Sequence, residues 1–122
     1  MLSPTRELAE QIAAVARDLS RFADVRAVLV VGGKPIGPQE KALRAGPDLV
    51  VATPGRLLDL MQQGAARLDR VAALVLDEAD RMLDMGFLPD VKRIVARLTA
   101  RQQTFLFSAT LPPVIAGLAN DL

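Results

Sequence analysis

Four short apolar runs recur along this chain: Val28–Val31, Leu49–Ala52, Ala73–Leu76 and Thr104–Phe107. Each is separated from the next by sequence with helical spacing. Short apolar runs of this kind fit strands buried on both faces. Strands that alternate with helices fit a parallel sheet covered by helices on both sides. Leu8, Ile12, Val15, Leu19 and Phe22 fall at spacings of four, three, four and three, which predicts a helix over 4–22 with one apolar stripe. Shorter helices are predicted over 38–45, stopped by Gly46-Pro47, and over 57–63, stopped by Gly64. A helical stretch from Ala79 breaks around 86–89 and resumes through Val91, Ile94, Val95 and Leu98. Pro112 opens a last helix. The order is α-β-α-β-α-β-α-β-α, within a chain of 122 residues, the size of one small domain.

Right-handed crossovers put the C-terminal ends of all these strands on one sheet edge, where open α/β sheets bind ligands. Each end carries a distinctive sequence: Gly32-Gly33, Thr53-Pro54-Gly55-Arg56, Asp77-Glu78-Ala79-Asp80 and Ser108-Ala109-Thr110. Two adjacent acids at a strand tip suit a phosphate with its Mg²⁺. One acid can hold the hydrated metal while the other orients or deprotonates water. The chemistry this points to is nucleoside triphosphate hydrolysis. The plainer reading is that acids in a first helical turn complement the helix dipole. Ser108 and Thr110 read equally well as ordinary N-caps or as hydroxyls bonded to a neighbouring acid such as Asp80. Thr53–Arg56 and Pro4–Leu8 each combine a hydroxyl, backbone donors and an arginine at a helix start, a combination suited to phosphate. Ordinary capping, with Arg6 or Arg56 in a surface ion pair, is the alternative. Gly32-Gly33 is either a tight turn or a place where a sugar-phosphate chain can come close.

Composition narrows the chemistry further. The chain has no cysteine and no histidine. Disulfides, thiolate nucleophiles, zinc sites built on Cys or His, and histidine bases are therefore excluded. Acid–base work falls to carboxylates, lysine or water. A net charge of +1 gives no global basic field, though a local cluster of donors is enough for nucleic acid. With four Phe and no Trp or Tyr, the core must be built from Leu, Val, Ile and Ala. No leader or membrane-length apolar run is visible, so a soluble, cytoplasmic protein with no membrane partner is expected.

In combination the chain resembles the DEAD-box ATP-dependent RNA helicases. Five signatures occur in order: PTREL at 4–8, GG at 32–33, TPGR at 53–56, DEAD at 77–80 and SAT at 108–110. The connecting Arg81-Met82-Leu83-Asp84-Met85-Gly86-Phe87 is also typical, and the resemblance runs over essentially the whole chain. It implies a RecA-like, P-loop NTPase type of α/β fold. It implies ATP and Mg²⁺ as cofactors, with catalysis by Asp77, Glu78 and Asp80. Asp77 would hold the Mg²⁺ through water, and Glu78 would position and activate the attacking water. Asp80 would bond the hydroxyls of Ser108 and Thr110, coupling the ATP site to movement between two lobes. Pro4, Thr5, Arg6, Gly33, Thr53, Gly55 and Arg56 would contact the sugar-phosphate backbone of single-stranded RNA or of an RNA duplex. Such contacts give affinity without sequence reading.

The chain also departs from the family pattern. It has no Gly-rich phosphate loop ending in Gly-Lys-Thr; its only lysines are Lys34, Lys41 and Lys92. The adenine-reading glutamine segment and the second RecA-like lobe, with its arginine finger, are also missing. The expectation is that residues 1–122 are part of a first RecA-like lobe, incomplete at the N-terminus, with Met1-Leu2 the remnant of the strand entering PTREL. The parent would clamp RNA across two lobes on binding ATP and unwind short duplexes locally. The isolated fragment would be inactive, with strand edges unpaired and apolar faces uncovered. The alternative is a non-catalytic RNA-binding or interaction module on the same scaffold. A DNA helicase of the same superfamily fits the motif set less well.

Overall fold

The computed structural model describes all residues, Met1–Leu122. The apolar runs form parallel strands: β1 (Ala27–Val30), β2 (Leu49–Ala52), β3 (Ala73–Leu76) and β4 (Gln103–Leu106). β1 pairs with β2, Ala27 opposite Leu49; β3 pairs with β4, Ala73 opposite Gln103. The two ladders do not pair with each other. Leu2 lies between them and bridges in parallel to Ala52 on one side and Leu76 on the other. Its N–H donates to Val75 O at 2.8 Å, and Asp77 N–H donates to its carbonyl at 3.0 Å. On the other side Ala52 N–H donates to Met1 O and Ser3 N–H to Ala52 O, both at 2.9 Å. The sheet order is therefore β1-β2-Leu2-β3-β4, with a two-residue central strand feeding Ser3-Pro4-Thr5. The Met1 amine donates to Val50 O at 2.7 Å, and burial lowers its pKa from 8.0 to about 6.

The connecting segments form α1 (Arg6–Leu19), α2 (Ile36–Arg44), α3 (Pro54–Gln62), α4 (Ala79–Asp84), α5 (Leu88–Val95) and α6 (Pro113–Asp121). α1 starts later than its sequence suggests. Thr5 is extended, at φ −124°, and its hydroxyl accepts from Leu8 N–H at 3.2 Å, so the cap sits at Thr5 and Pro4 precedes the helix. α2 starts earlier than Pro38, because a proline in the first turn costs no hydrogen bond. The break between α4 and α5 falls at Gly86, whose φ of 78° stops the first helix.

The main core lies on one side of the sheet. Leu57, Leu60 and Met61 of α3 meet Val91 and Ile94 of α5 and Ile115 and Leu118 of α6, over Leu2, Val30, Leu74 and Leu76. On the other side α1 covers β1 and β2 through Ala9 and Ala13 packed on Val31 and Val51. This corrects the stripe read from spacing. Ile12 of that stripe does pack against this cluster, but the α1 residues fully buried on the strands are small alanines, which let the helix come close. Val15 and Leu19 face solvent, and Phe22, in a 3₁₀ turn at Ser20–Phe22, is 90% exposed. No helix covers this second face over β3 and β4. Phe105 is 47% exposed and Phe107 56%, so β4, at the sheet margin, is buried on one face only. No helix is long and apolar enough to cross a membrane.

Candidate functional site

Because Leu2 completes the sheet, five strand ends meet one edge in the order Gly32-Gly33, Thr53–Arg56, Ser3–Arg6, Asp77–Asp80, Ser108–Thr110. The acids occupy one half of that edge. β3 ends at Leu76, and the chain turns into α4 through Glu78, whose backbone is left-handed at φ 53°, ψ 53°. That conformation costs a side-chain-bearing residue about 1–2 kcal/mol. Asp77 Oδ1 accepts from Glu78 N–H at 3.0 Å. Glu78 Oε2 is buried with no hydrogen-bond partner; the nearest cation, Arg81 Nη1, stands 4.0 Å away.

Asp80 ties β3 to β4. Its Oδ2 accepts from the Thr110 hydroxyl at 2.9 Å and from Thr110 N–H at 3.1 Å. Its Oδ1 accepts from Arg81 N–H at 3.0 Å. The Thr110 hydroxyl is the main reason the Asp80 carboxyl sits below its ordinary 3.8; burial opposes it, and the Arg81 N–H, the Ser108 hydroxyl and the Thr110 N–H add to it. Ser108 reaches Asp80 differently from the sequence expectation. Its hydroxyl accepts from Asp80 N–H at 3.1 Å, and its single proton goes to Thr110 O at 2.6 Å. The hydroxyl thus meets the acid's backbone N–H, and it also helps to hold the Asp80 carboxyl below its ordinary value.

The other half of the edge is a groove of about 310 Å³ lined by Pro4, Thr5, Arg6, Glu7, Gly32, Thr53, Met85 and Phe87. Pro4 and Pro54 are buried supports. The Thr5 hydroxyl is engaged as a helix cap, whereas Thr53 precedes α3 without capping it. Gly33 has φ 79°, and a Cβ placed there would overlap the Arg6 guanidinium. Gly55 is exposed, with open space around its Cα. Arg6 lies 3.7 Å from Glu7. Arg56 is in no ion pair; its Nη1 donates to Lys34 O at 2.9 Å and to Gln39 Oε1 at 3.2 Å. Gly33, Gly55 and Arg56 thus stand beside the groove and not in its lining. A larger cavity, about 400 Å³, lies among segments that precede β2 and β3, at the opposite edge and away from every motif.

Met85, Phe87 and Gln39 escape a motif-based reading. Met85 and Phe87 follow the acids across the Gly86 turn, and no local pattern announces that they fold back to the groove. Gln39 does carry a signal: it sits between Ile36 and Leu43 on the apolar spacing of α2, where a polar residue requires partners.

A family model described as DEAD/DEAH box helicase matches residues 1–117. A DEAD-box ATP-dependent RNA helicase 5 of Oryza sativa subsp. japonica is 49% identical over 99% of this chain and 24% of its own length. The ATP-dependent RNA helicase DBP2 of Encephalitozoon cuniculi is 50% identical, with the same coverage. The chain thus spans about a quarter of the length of these relatives. A solved structure of a hypothetical ATP-dependent RNA helicase from Sulfolobus tokodaii superposes with a TM-score of 0.94 at 44% identity, covering 98% of this chain and 36% of that one. The yeast DEAD-box splicing factor Prp28 superposes at 0.90 with 35% identity, over 98% of this chain and 29% of its own. With the acids and the SAT hydroxyls on one half of the edge and the PTREL, GG and TPGR loops on the other, the chain belongs to the DEAD/DEAH box helicase family.

Proposed function

We propose that residues 1–122 are part of the first RecA-like lobe of an ATP-dependent RNA helicase, which couples ATP binding and hydrolysis to RNA clamping and local duplex unwinding. The observation that carries this reading is the division of one sheet edge between an acidic half, where the Asp80–Thr110 bond ties β3 to β4, and a groove half lined by Pro4, Thr5, Arg6, Gly32 and Thr53. Asp77 and Glu78 suit a hydrated Mg²⁺ arriving with ATP. The orphaned Glu78 Oε2 lacks a partner, and no group of three or more acidic, His or Cys side chains could hold an ion alone. Magnesium that keeps most of its waters, bound by one or two carboxylates and by phosphate oxygens, matches such a donor set. When bound, it neutralises charge on the phosphates. Asp77 would hold its water shell, and Glu78 would orient the attacking water and take its proton.

On the other half, Thr53, the Gly32-Gly33 backbone, Gly55, Arg6 and Arg56 contact the sugar-phosphate chain of RNA, with Pro4 and Thr5 shaping the groove floor. A second RecA-like lobe closes over both halves. The Asp80–Thr110 bond, with Ser108 beside it, passes the nucleotide state to that closure.

The test is RNA-stimulated phosphate release by the full-length protein. Wild type should turn ATP over only when RNA is present. Glu78→Gln should still bind ATP and lose ~10²–10⁴ in rate, the usual cost of removing a base. Turnover within twofold of wild type would remove Glu78 from the mechanism. RNA binding without any ATP turnover in the unmutated protein would favour a non-catalytic RNA-binding module.

A further inference from the structure

Gln39 is buried, 7% exposed, on the face of α2 that otherwise carries Ile36 and Leu43. Its side-chain amide uses both ends. Nε2 donates to Val31 O at 3.0 Å, and Oε1 accepts from Arg56 Nη1 at 3.2 Å. The same Arg56 nitrogen donates to Lys34 O at 2.9 Å. Val31 and Lys34 flank Gly32-Gly33, so one amide and one guanidinium fasten both ends of that loop to the start of α3. Lys34 is also held from α1, its Nζ 3.0 Å from Glu10 Oε1. Methionine or leucine would fill the same volume with less desolvation. The glutamine amide supplies a donor and an acceptor on separate atoms of one uncharged group, at the reach these two partners require.

We propose that Gln39 is a positioning residue for RNA binding: it sets the Gly32-Gly33 loop and the Arg56 guanidinium in one fixed relation. The loop's backbone donors and the guanidinium N–H groups left free on Arg56 then meet consecutive phosphates of a single strand. Gln39 touches no RNA itself. The inference rests on the RNA-binding reading given above.

The experiment measures binding of a fluorescent oligouridine to the full-length protein over a salt series, for wild type, Gln39→Met, Arg56→Ala and the double variant. Gln39→Met should bind roughly tenfold more weakly, the worth of a hydrogen bond to a charged group. The slope of log affinity against log salt should flatten by about 0.7 for each phosphate of the single strand that the variant no longer neutralises. A merely structural glutamine would lower the folded fraction and leave the slope untouched. The double variant should bind no more weakly than Arg56→Ala alone. An unchanged slope in Gln39→Met, or strictly additive losses, would overturn the proposal. Should the methionine variant not fold, Gln39→Asn, one methylene too short to span both partners, takes its place with the same outcomes. Wild type that fails to bind oligouridine would sink the RNA reading itself, and this inference with it. Wild type that binds while Gln39→Met matches it sinks the inference alone.

Discussion

Asp80 and Thr110 meet across the ends of β3 and β4, and their bond is also a pH sensor. The Asp80 pKa is lowered in the fold, so its contribution to stability is present above the unfolded value of 3.8 and is lost as pH falls through the folded value. Thr110→Val removes the hydroxyl that contributes most. The Asp80 pKa should return toward 3.8, readable as a carboxyl-carbon titration by NMR; an unmoved titration would place the cause elsewhere. In the full-length protein, Ser108→Ala with Thr110→Ala should harm duplex separation more than ATP hydrolysis. Equal loss of both would count against a coupling role. These residues are legible in the sequence only as a set: each alone reads as ordinary helix capping, and the five ordered motifs together carry the resemblance. The division of labour between them is not. It depends on Ser108 giving its only proton to Thr110 O, a bond two residues away that no spacing rule encodes.

At the scale of elements, the strands and their order are readable because each is a compact apolar run between turn residues. The buried face of α1 is not. The spacing picks out its larger apolar side chains, of which Ile12 packs there, yet the residues fully buried on the sheet are Ala9 and Ala13, since the strands demand a close approach. Met1-Leu2 shows no periodicity; the family resemblance marks it as strand, and the bridges to Ala52 and Leu76 place it between the two ladders. The loop after β1 shows how tightly the elements interlock. Gly33 combines φ 79° with the Arg6 guanidinium lying over its Cα, whereas Gly32 has neither constraint. Gly33→Ala should therefore destabilise the fold by about 1–2 kcal/mol, the left-handed penalty, and push Arg6 aside. RNA affinity should fall with it. Gly32→Ala should be close to neutral. Denaturant midpoints of the two variants check the contrast; equal midpoints would show that the loop relaxes freely.

For the molecule as a whole, the acids alone do not make an ATPase. The β- and γ-phosphates require a cradle of backbone N–H groups and a lysine, and these 122 residues contain no Gly-Lys-Thr loop. An arginine finger from a second lobe is worth ~10³–10⁵ in rate more. The 122-residue chain on its own should show no saturable micromolar ATP binding by calorimetry and no RNA-stimulated turnover. Either one would overturn the assignment of these residues to part of a lobe. The same chain should also grow more stable between pH 6 and 8. Its Met1 amine titrates at about 6 when folded against 8.0 unfolded, so the unfolded chain holds more protons across that window. Two units correspond to about 2–3 kcal/mol. With no histidine in the chain, little else titrates there. Urea midpoints at the two pH values measure the effect, and acetylating the amine should abolish it.

The central strand carries a mechanical consequence. β1-β2 bears one half of the edge and β3-β4 the other, and no strand of one ladder pairs with a strand of the other. Leu2 is the splice between them. Its carbonyl holds Asp77 N–H, its neighbour Met1 holds Ala52 N–H, and the peptide runs directly on into the PTREL loop. Any displacement of that loop therefore reaches Asp77 and Ala52 at once, through the same two peptide units. The peptide at Leu2 thus belongs to both ladders, and whatever shifts it is felt on both sides of the edge.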